Sequence, residues 1–348
     1  MFQEIYREMS KDHKYVFDPK QVERSKWSEF VLNHPKGNIF QTPQMYEAYK
    51  TSKNFEPVFI ACVDTAGNIK GLLSGSIFSE KDGILKHLIS RCIIFGGPLL
   101  SKDISIIEFL QSYNDSVKKK AVYSRLANLF DNSSEFSGID SEGYEFKEHL
   151  NYNIDLSQSQ DDIWNSIQNT RRRQIRRGYR RGITVKVSFE VENMADYYGI
   201  VFGIYKNAGL PLQDISFFES VYENLSKEKN IVFFSAYFED RLIGHRIILA
   251  YGKRLYDWYA GDIPEERDKY TNDVLVWEVL KWGNENGYEV FDFGGAGEPG
   301  KEYGVRDFKA KFGGELVSFG NYMKVHQPAK YATLQSLLKV HKSLKKSR

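Results

Sequence analysis

A chain of 348 residues is longer than one hydrophobic core usually serves, so two domains are expected. Charged residues at 27% and hydrophobic ones at 41% give the balance of a soluble globular protein, and a formal net charge of only +2 excludes a molecule that binds polyanions over its whole surface. No apolar run approaches the roughly eighteen residues of a membrane-spanning helix, and the N-terminus, MFQEIYREMSKDHKYVFD, has acids and no apolar stretch of signal-peptide length, so a cytoplasmic location is expected.

In chain order, the first element is a helix around Pro19 to Leu32. In GNIFQTPQMYEAYK, Thr42 caps a second helix with Pro43 at its first position and Tyr46, Tyr49 and Lys50 along it. FEPVFIACV and IKGLLSGSIF, joined by DTAGN, read as a hairpin, and RCIIFGGPLL as a third strand broken at Gly96-Gly97-Pro98. DISIIEFLQSYNDSVKKK has helical spacing, and two strand-like runs follow, AVYSRLANLF and YEFKEHLNYNIDL. Ser159 with Asp162 three residues on forms a capping box ahead of an arginine cluster. After helical ADYYGIVFGIYKNAG and FFESVYENLSKE the earlier order recurs: strands IVFFSAYF and LIGHRIILAYG around a tight turn, strand RLYDWYAGD, helix NDVLVWEVLKWGNENG and strand EVFDFGG. That recurrence is duplication at domain scale, each half a mixed sheet flanked by helices, of the α/β (α+β) class. The expected division is 1–155, 156–330 and a basic tail 331–348.

The stretch from Tyr288 to Gly314 concentrates the features that point to chemistry. Gly295 to Gly300 formally matches the dinucleotide fingerprint, but Pro299 and Gly300 interrupt the helix start that motif needs and Glu298 would face the pyrophosphate, so no nucleotide cofactor is expected. Lys309, in RDFKAKFGG, stands between Phe308 and Phe312, where a cation among rings can be desolvated and aimed at a developing oxyanion; a surface lysine on an amphipathic turn is the plain alternative. TRRRQIRRGYRRG puts seven arginines into eleven residues, with Arg172 and Arg176 on one helical ridge, Arg173 and Arg177 on the next and Arg171 leading them. Guanidinium forks match phosphate, so RNA or a diphosphate is a candidate partner, against a merely solvated face. The tail carries six Lys/Arg and no acid with leucines near helical spacing, either a docked terminal helix or a contact to an anionic membrane surface. There is no G-x-S-x-G nucleophile motif and no metal spacing, and Cys62 and Cys92 sit in apolar runs that suit buried, reduced thiols.

YDWYAG, VLVWEVLKWGNENGY, EVFDFGG and FKAKFGG together resemble the second domain of the Fem family, peptidyltransferases that build peptidoglycan interpeptide bridges. GNIFQTPQMYEAYK is similar to the family's opening segment, with Tyr46 where a Trp is usual, and RRRQIRRGYRRGITV to its basic segment; the likeness covers nearly the whole chain in order. The resemblance implies two GNAT-like domains in tandem and transfer of an amino acid from aminoacyl-tRNA to an amine of a nucleotide- or lipid-linked cell-wall precursor. It implies Lys309 as the oxyanion-stabilising residue, Lys50 as a contact to the acceptor's phosphates, and Tyr259, with Tyr256, on the acceptor side. Gln213 and Phe217 stand where an Arg and a Tyr would contact the acceptor. Asp262, with the two tyrosines, is a candidate for orienting the amine. An acyl-CoA donor is the alternative, against which the acidic, glycine-free segment DIPEERDKYTND after YDWYAG argues; a non-enzymatic RNA-binding module is a third reading.

Overall fold

The two apolar hairpins that read alike in the sequence build two sheets of matching topology. The structure, a computed structural model, describes residues 13–79 and 90–346; residues 1–12, on which part of the leader argument rests, lie outside them. The chain divides into Met1–Lys147 with Phe319–Arg348, and Glu148–Ser318.

The first unit runs β1 (His13–Val16), α1 (Arg24–Asn33), α2 (Pro43–Thr51), β2 (Phe55–Asp64), β3 (Ile69–Phe78), β4 (Arg91–Phe95), β5 (Leu99–Leu100), α3 (Ile106–Val117), β6 (Tyr123–Ala127) and β7 (Tyr144–Lys147). The second runs β8 (Leu150–Asp155), α4 (Gln160–Ser166), α5 (Asn169–Arg180), β9 (Thr184–Ser188), α6 (Met194–Ala208), α7 (Ile215–Leu225), β10 (Ile231–Phe238), β11 (Arg241–Tyr251), β12 (Arg254–Asp262), α8 (Thr271–Glu285), β13 (Val290–Gly297), α9 (Gly304–Lys309) and β14 (Glu315–Ser318). The chain then returns to the first unit as β15 (Asn321–Val325) and α10 (Pro328–Lys346). Sheet order is β1-β2-β3-β4-β6-β15-β7 in the first unit, with β5 on β3, and β14-β8-β13-β12-β11-β10-β9 in the second. Each sheet is antiparallel except at one pair, β4 with β6 and β12 with β13.

Local signals act as the sequence suggests. Thr42 accepts from the Met45 amide with Pro43 inside the helix start, and Ser159 accepts from the Asp162 amide. The first helix differs: a short turn over Pro19–Gln21 precedes α1, which begins at Arg24. Cys62 and Cys92 are buried, and burial pushes the Cys62 thiol up to about 11 and the Cys92 thiol up to about 12.

The division differs from the expected boundary near residue 155. The run YEFKEHLNYNIDL supplies two strands that part company, β7 joining the first sheet and β8 the second. Leu150, Tyr152 and Ile154 alternate along β8 into the second core with Phe291, Phe293 and Phe312. The stretch from Phe319 to residue 330, expected in the second domain, belongs to the first unit. β15 lies between β6 and β7, and His326 Nε2 is 2.7 Å from the buried Ser124 hydroxyl, itself 2.6 Å from that of Tyr113. Of the leucines that suggested docking of the terminal helix, Leu337 is exposed, and Leu338 and Leu344 fall outside the described side chains.

Gly178 sits in the third turn of α5, where a glycine carries an intrinsic cost to a helix. The helix runs through it, because a Cβ there would stand 2.5 Å from Val274 Cγ2 and 3.0 Å from the Lys269 carbonyl oxygen. The bare backbone is what lets α5 approach the start of α8. Gly178→Ala should therefore lower unfolding free energy by about 1–3 kcal/mol in urea titrations, although alanine is the better helix former by about 1 kcal/mol.

Candidate active site

β12 and β13 pair in parallel only from Arg254↔Val290 to Tyr256↔Asp292, and then part. Both strands are irregular at that point. β12 bulges at Trp258, since Ile248 pairs with Asp257 and Ile247 with Tyr259, and β13 shifts register against β8 between Asp292 and Gly297. Gly294 takes φ +77°, and a Cβ there would lie 3.5 Å from Lys309 Nζ and 3.6 Å from the Asp257 carbonyl oxygen. Those are ordinary contact distances, so it is the left-handed backbone that favours glycine here.

The Lys309 ammonium reaches the backbone of β13 at this split. It ends the short helix α9, whose neighbours Phe308 and Phe312 pack on each other and on Phe293, Phe312 fully buried. That aromatic anchor leaves Lys309 only 8% exposed. Its Nζ donates to the Phe293 carbonyl and, at 3.0 Å, to the Gly295 carbonyl, and lies 5.2 Å from the centre of the Phe293 ring. Burial pulls the ammonium down to about 8 from its ordinary 10.5, against the support of Asp257 and with a further push from Arg246.

Around the lysine the structure gathers charged groups from the interiors of three strands. Arg246 of β11 donates to Asp257 Oδ2 at 2.6 Å and to Asn272 Oδ1 at 2.7 Å, and its guanidinium lies 5.3 Å from the Phe293 ring centre. Asp257 Oδ1 is buried without a hydrogen-bond partner. Asp292 of β13 accepts from Asn151 at 2.7 Å and from the Gly294 amide at 2.9 Å, and burial raises its carboxyl. Composition and motif reading passed over Arg246, Asp257, Asn272 and Asp292. The signal was there for three of them, as lone charges inside the apolar runs LIGHRIILAY, LYDWY and VFDFGG, where a charge is costly unless partnered.

Tyr259 and Gln213 are brought together directly, the phenol donating to Gln213 Oε1 at 2.6 Å. Phe217 is buried edge to face on Trp258 at 5.5 Å, so its ring belongs to the packing of α7 on β12. Tyr256 is buried as well, and burial pushes its hydroxyl up. Asp262 closes β12, its carboxyl raised by burial against the pull of Arg267 and Arg246. Lys50 belongs to the first unit, exposed on α2 and paired with Glu47 at 3.0 Å one turn back.

The arginine cluster is α5, and its members divide. Arg171 pairs with Asp273 at 2.8 Å and lies over the Phe308 ring at 4.8 Å, anchoring the helix that carries Lys309. Arg172 donates to Asn165 and Asn169 at 2.8 and 2.5 Å, and Arg176 covers Trp164 at 5.3 Å. Arg173, Arg177 and Arg180 are exposed and have no acidic partner among the described residues. The acidic segment after β12 forms a turn over Pro264–Lys269, in which Glu266 takes up Arg241 and, at 2.6 Å, Lys269.

Residues 168–309 match the acetyltransferase (GNAT) domain family. None of the curated proteins matches the sequence. Among solved structures the fold is similar to that of FemX, with a TM-score of 0.70 and 17% identity over 92% of this chain and 99% of that one. It is similar to the C-terminal domain of a putative lysylphosphatidylglycerol synthetase from Agrobacterium fabrum, at 0.57 and 12% over 90% and 95% of the two chains. It is similar to a tandem GNAT protein of the clavulanic acid biosynthesis pathway, at 0.59 and 8% over 90% and 99%. In fold the chain is thus similar to FemX and to a tandem GNAT protein, with two GNAT-like units of mixed sheet flanked by helices, and its second unit carries the segment that matches the acetyltransferase (GNAT) domain family.

Proposed function

We propose that the protein is an aminoacyltransferase that moves an amino acid from aminoacyl-tRNA to an amine of a peptidoglycan precursor linked to a nucleotide or a lipid pyrophosphate. The observation that carries this is Lys309, a nearly buried ammonium fixed by two backbone carbonyls where β12 and β13 part. The acceptor amine attacks the ester carbonyl, a C–N bond forms, the ester C–O bond breaks, and the proton lost by the amine ends on the ribose hydroxyl that leaves. No protein nucleophile is needed, in keeping with the lack of a nucleophile motif. Charge builds on the carbonyl oxygen, and a cation already held in a dry site stabilises it without reorganising. Tyr259, directed by Gln213, and Asp262 stand on the acceptor side, and Lys50 serves the acceptor's phosphates. The fold shared with FemX and with a lysylphosphatidylglycerol synthetase supports aminoacyl transfer in the cell envelope. Against an acyl-CoA donor in the second unit, the turn before α8 is acidic and Asp273 occupies that helix's first turn, bound to Arg171. No described helix is long and apolar enough to cross a membrane. The basic helix α10 is our candidate for a peripheral contact with an anionic inner membrane face.

The test supplies purified protein with nucleotide- and lipid-linked muropeptide precursors and either charged tRNA or acyl-CoA, and follows acceptor mass. A gain abolished by RNase supports the proposal; a gain that needs only a CoA thioester overturns it. The exposed ridge of Arg173, Arg177 and Arg180 is assigned to tRNA phosphates. Replacing all three with alanine should weaken tRNA binding at low salt and reduce the slope of log K against log salt by about 2 to 3, measured by filter binding from about 50 to 200 mM.

A further inference from the structure

Past its last pair with β12, Tyr256↔Asp292, β13 carries an extra residue. Asp292 pairs with Asn153 of β8 and Gly295 with Asn151, three steps along one strand against two along the other, which makes a bulge. Side chains hold its shape where the ladder does not. Asp292 Oδ1 accepts from the Gly294 amide at 2.9 Å, closing a tight turn in which Gly294 takes its left-handed backbone, and from Asn151 Nδ2 at 2.7 Å. The Asn151 side chain is itself fixed, its Oδ1 accepting from the Tyr152 amide at 2.9 Å, so that its Nδ2 faces Asp292. Both residues are buried, Asp292 at 3% exposed and Asn151 at 8%.

The carbonyls on either side of Gly294, those of Phe293 and Gly295, are the two that accept from Lys309 Nζ. An ammonium has three N–H donors, and Lys309 has no further hydrogen-bond partner among the described residues. Two bonds to fixed acceptors therefore set the direction of the third N–H, the one left for a substrate oxygen. If the turn opened, the acceptors would shift and that direction would be lost, although Phe308 and Phe312 would still anchor the chain around the lysine. As a structural fastening alone Asp292 is a costly choice, since burial disfavours its charged form and its other oxygen, Oδ2, lies 3.9 Å from Arg254 Nη1, beyond hydrogen-bonding distance. A neutral acceptor could meet the same amides without that cost.

We infer that Asp292 and Asn151 are positioning residues for the transfer: through the turn at Gly294 they place the two backbone carbonyls that aim Lys309 at the reacting carbonyl oxygen. The inference rests on the role proposed above for Lys309, and one of its tests needs no substrate. In Asp292→Leu, kcat for transfer from aminoacyl-tRNA should fall about 10- to 100-fold with KM little changed, the scale of loss when a catalytic group is displaced by about 1 Å. Asp292→Asn can still accept from both amides and should recover most of that loss. In the Lys309→Ala background Asp292→Leu should cost less than about threefold more, because the group it positions is gone. The substrate-free test follows the Lys309 ammonium by NMR of the full chain carrying isotope-labelled lysine, the signal being assigned by its absence in Lys309→Met. A hydrogen-bonded, slowly exchanging ammonium signal is expected in wild type and in Asp292→Asn, and its loss in Asp292→Leu. Asn151→Ala removes one of the two bonds to Oδ1, so it should show both effects in smaller measure, and it replaces Asp292→Leu if melting curves show that variant unfolded. Equal fractional losses of kcat with and without Lys309, or an ammonium signal that persists in Asp292→Leu, overturn the inference. The expected NMR pattern without any transfer from aminoacyl-tRNA supports the positioning and overturns the donor instead.

Discussion

Lys309→Ala is expected to lower kcat by about 10² to 10³ with little change in KM, the loss that follows removal of one preorganised donor to an oxyanion. The fold should survive. Phe308 and Phe312 anchor the segment independently, and the substitution removes a buried charge. The pH dependence separates this role from a structural one. A lysine held at about 8 is cationic below that pH and neutral above it, so the activity that needs its charge should fall as pH rises through about 8. Deprotonation of the acceptor amine pushes the rate the other way, and a bell-shaped profile of kcat/KM results, its alkaline limb absent in Lys309→Ala. Stability moves with the opposite sign. The lysine's pKa is lower in the folded chain than in the unfolded one, so the unfolded chain binds more protons between about 8 and 10.5, and stability gains on the order of 3 kcal/mol as pH rises through that window. Denaturant midpoints at pH 7.5 and 10.5, compared between wild type and Lys309→Met, isolate that difference; equal shifts in both proteins would remove the buried-charge account.

What the sequence made legible follows the reach of each signal. Period-two apolar runs fixed the hairpins, and the same runs in the same order exposed the duplication, because that pattern is local. Caps at Thr42 and Ser159 acted as written for the same reason. The exchange of β8 and β15 was hidden, since strand partners are chosen by which core accepts Leu150, Tyr152 and Ile154, and nothing within β8 itself names the sheet. Lys309 was legible through its aromatic flanks. Its partners were not, because carbonyls of Phe293 and Gly295 become ligands only when β13 loses register. The arginine cluster misled by looking uniform: Arg171 is consumed by Asp273 and Phe308, while Arg173, two residues on, stays exposed on another side of the helix.

Arg246 and Asp257 carry the largest expected effect on stability. The Arg246 side chain is 3% exposed and that of Asp257 10%, and the pair is closed at 2.6 Å with Asn272 taking the second guanidinium nitrogen. Removing either partner leaves the other charge dry and unpaired, so Arg246→Met or Asp257→Ala should each cost about 3–5 kcal/mol. The Arg246→Met/Asp257→Leu double variant should recover most of that, because two apolar side chains carry no desolvation debt; strict additivity of the two single losses in urea titrations would refute the coupling. The pair is also expected to tune the chemistry. Asp257 supports the ammonium of Lys309 from β12, Arg246 opposes it from β11, and Asp292 supports it from β13. Asp257→Asn keeps the shape and removes the charge, so Lys309 should lose its proton more easily and the alkaline limb of kcat/KM should move to lower pH. The same variant should leave the affinity for tRNA unchanged, since that is assigned to the exposed arginines of α5. A limb that stays at about 8 in Asp257→Asn would detach Lys309 from the profile and leave the pair with a structural part alone.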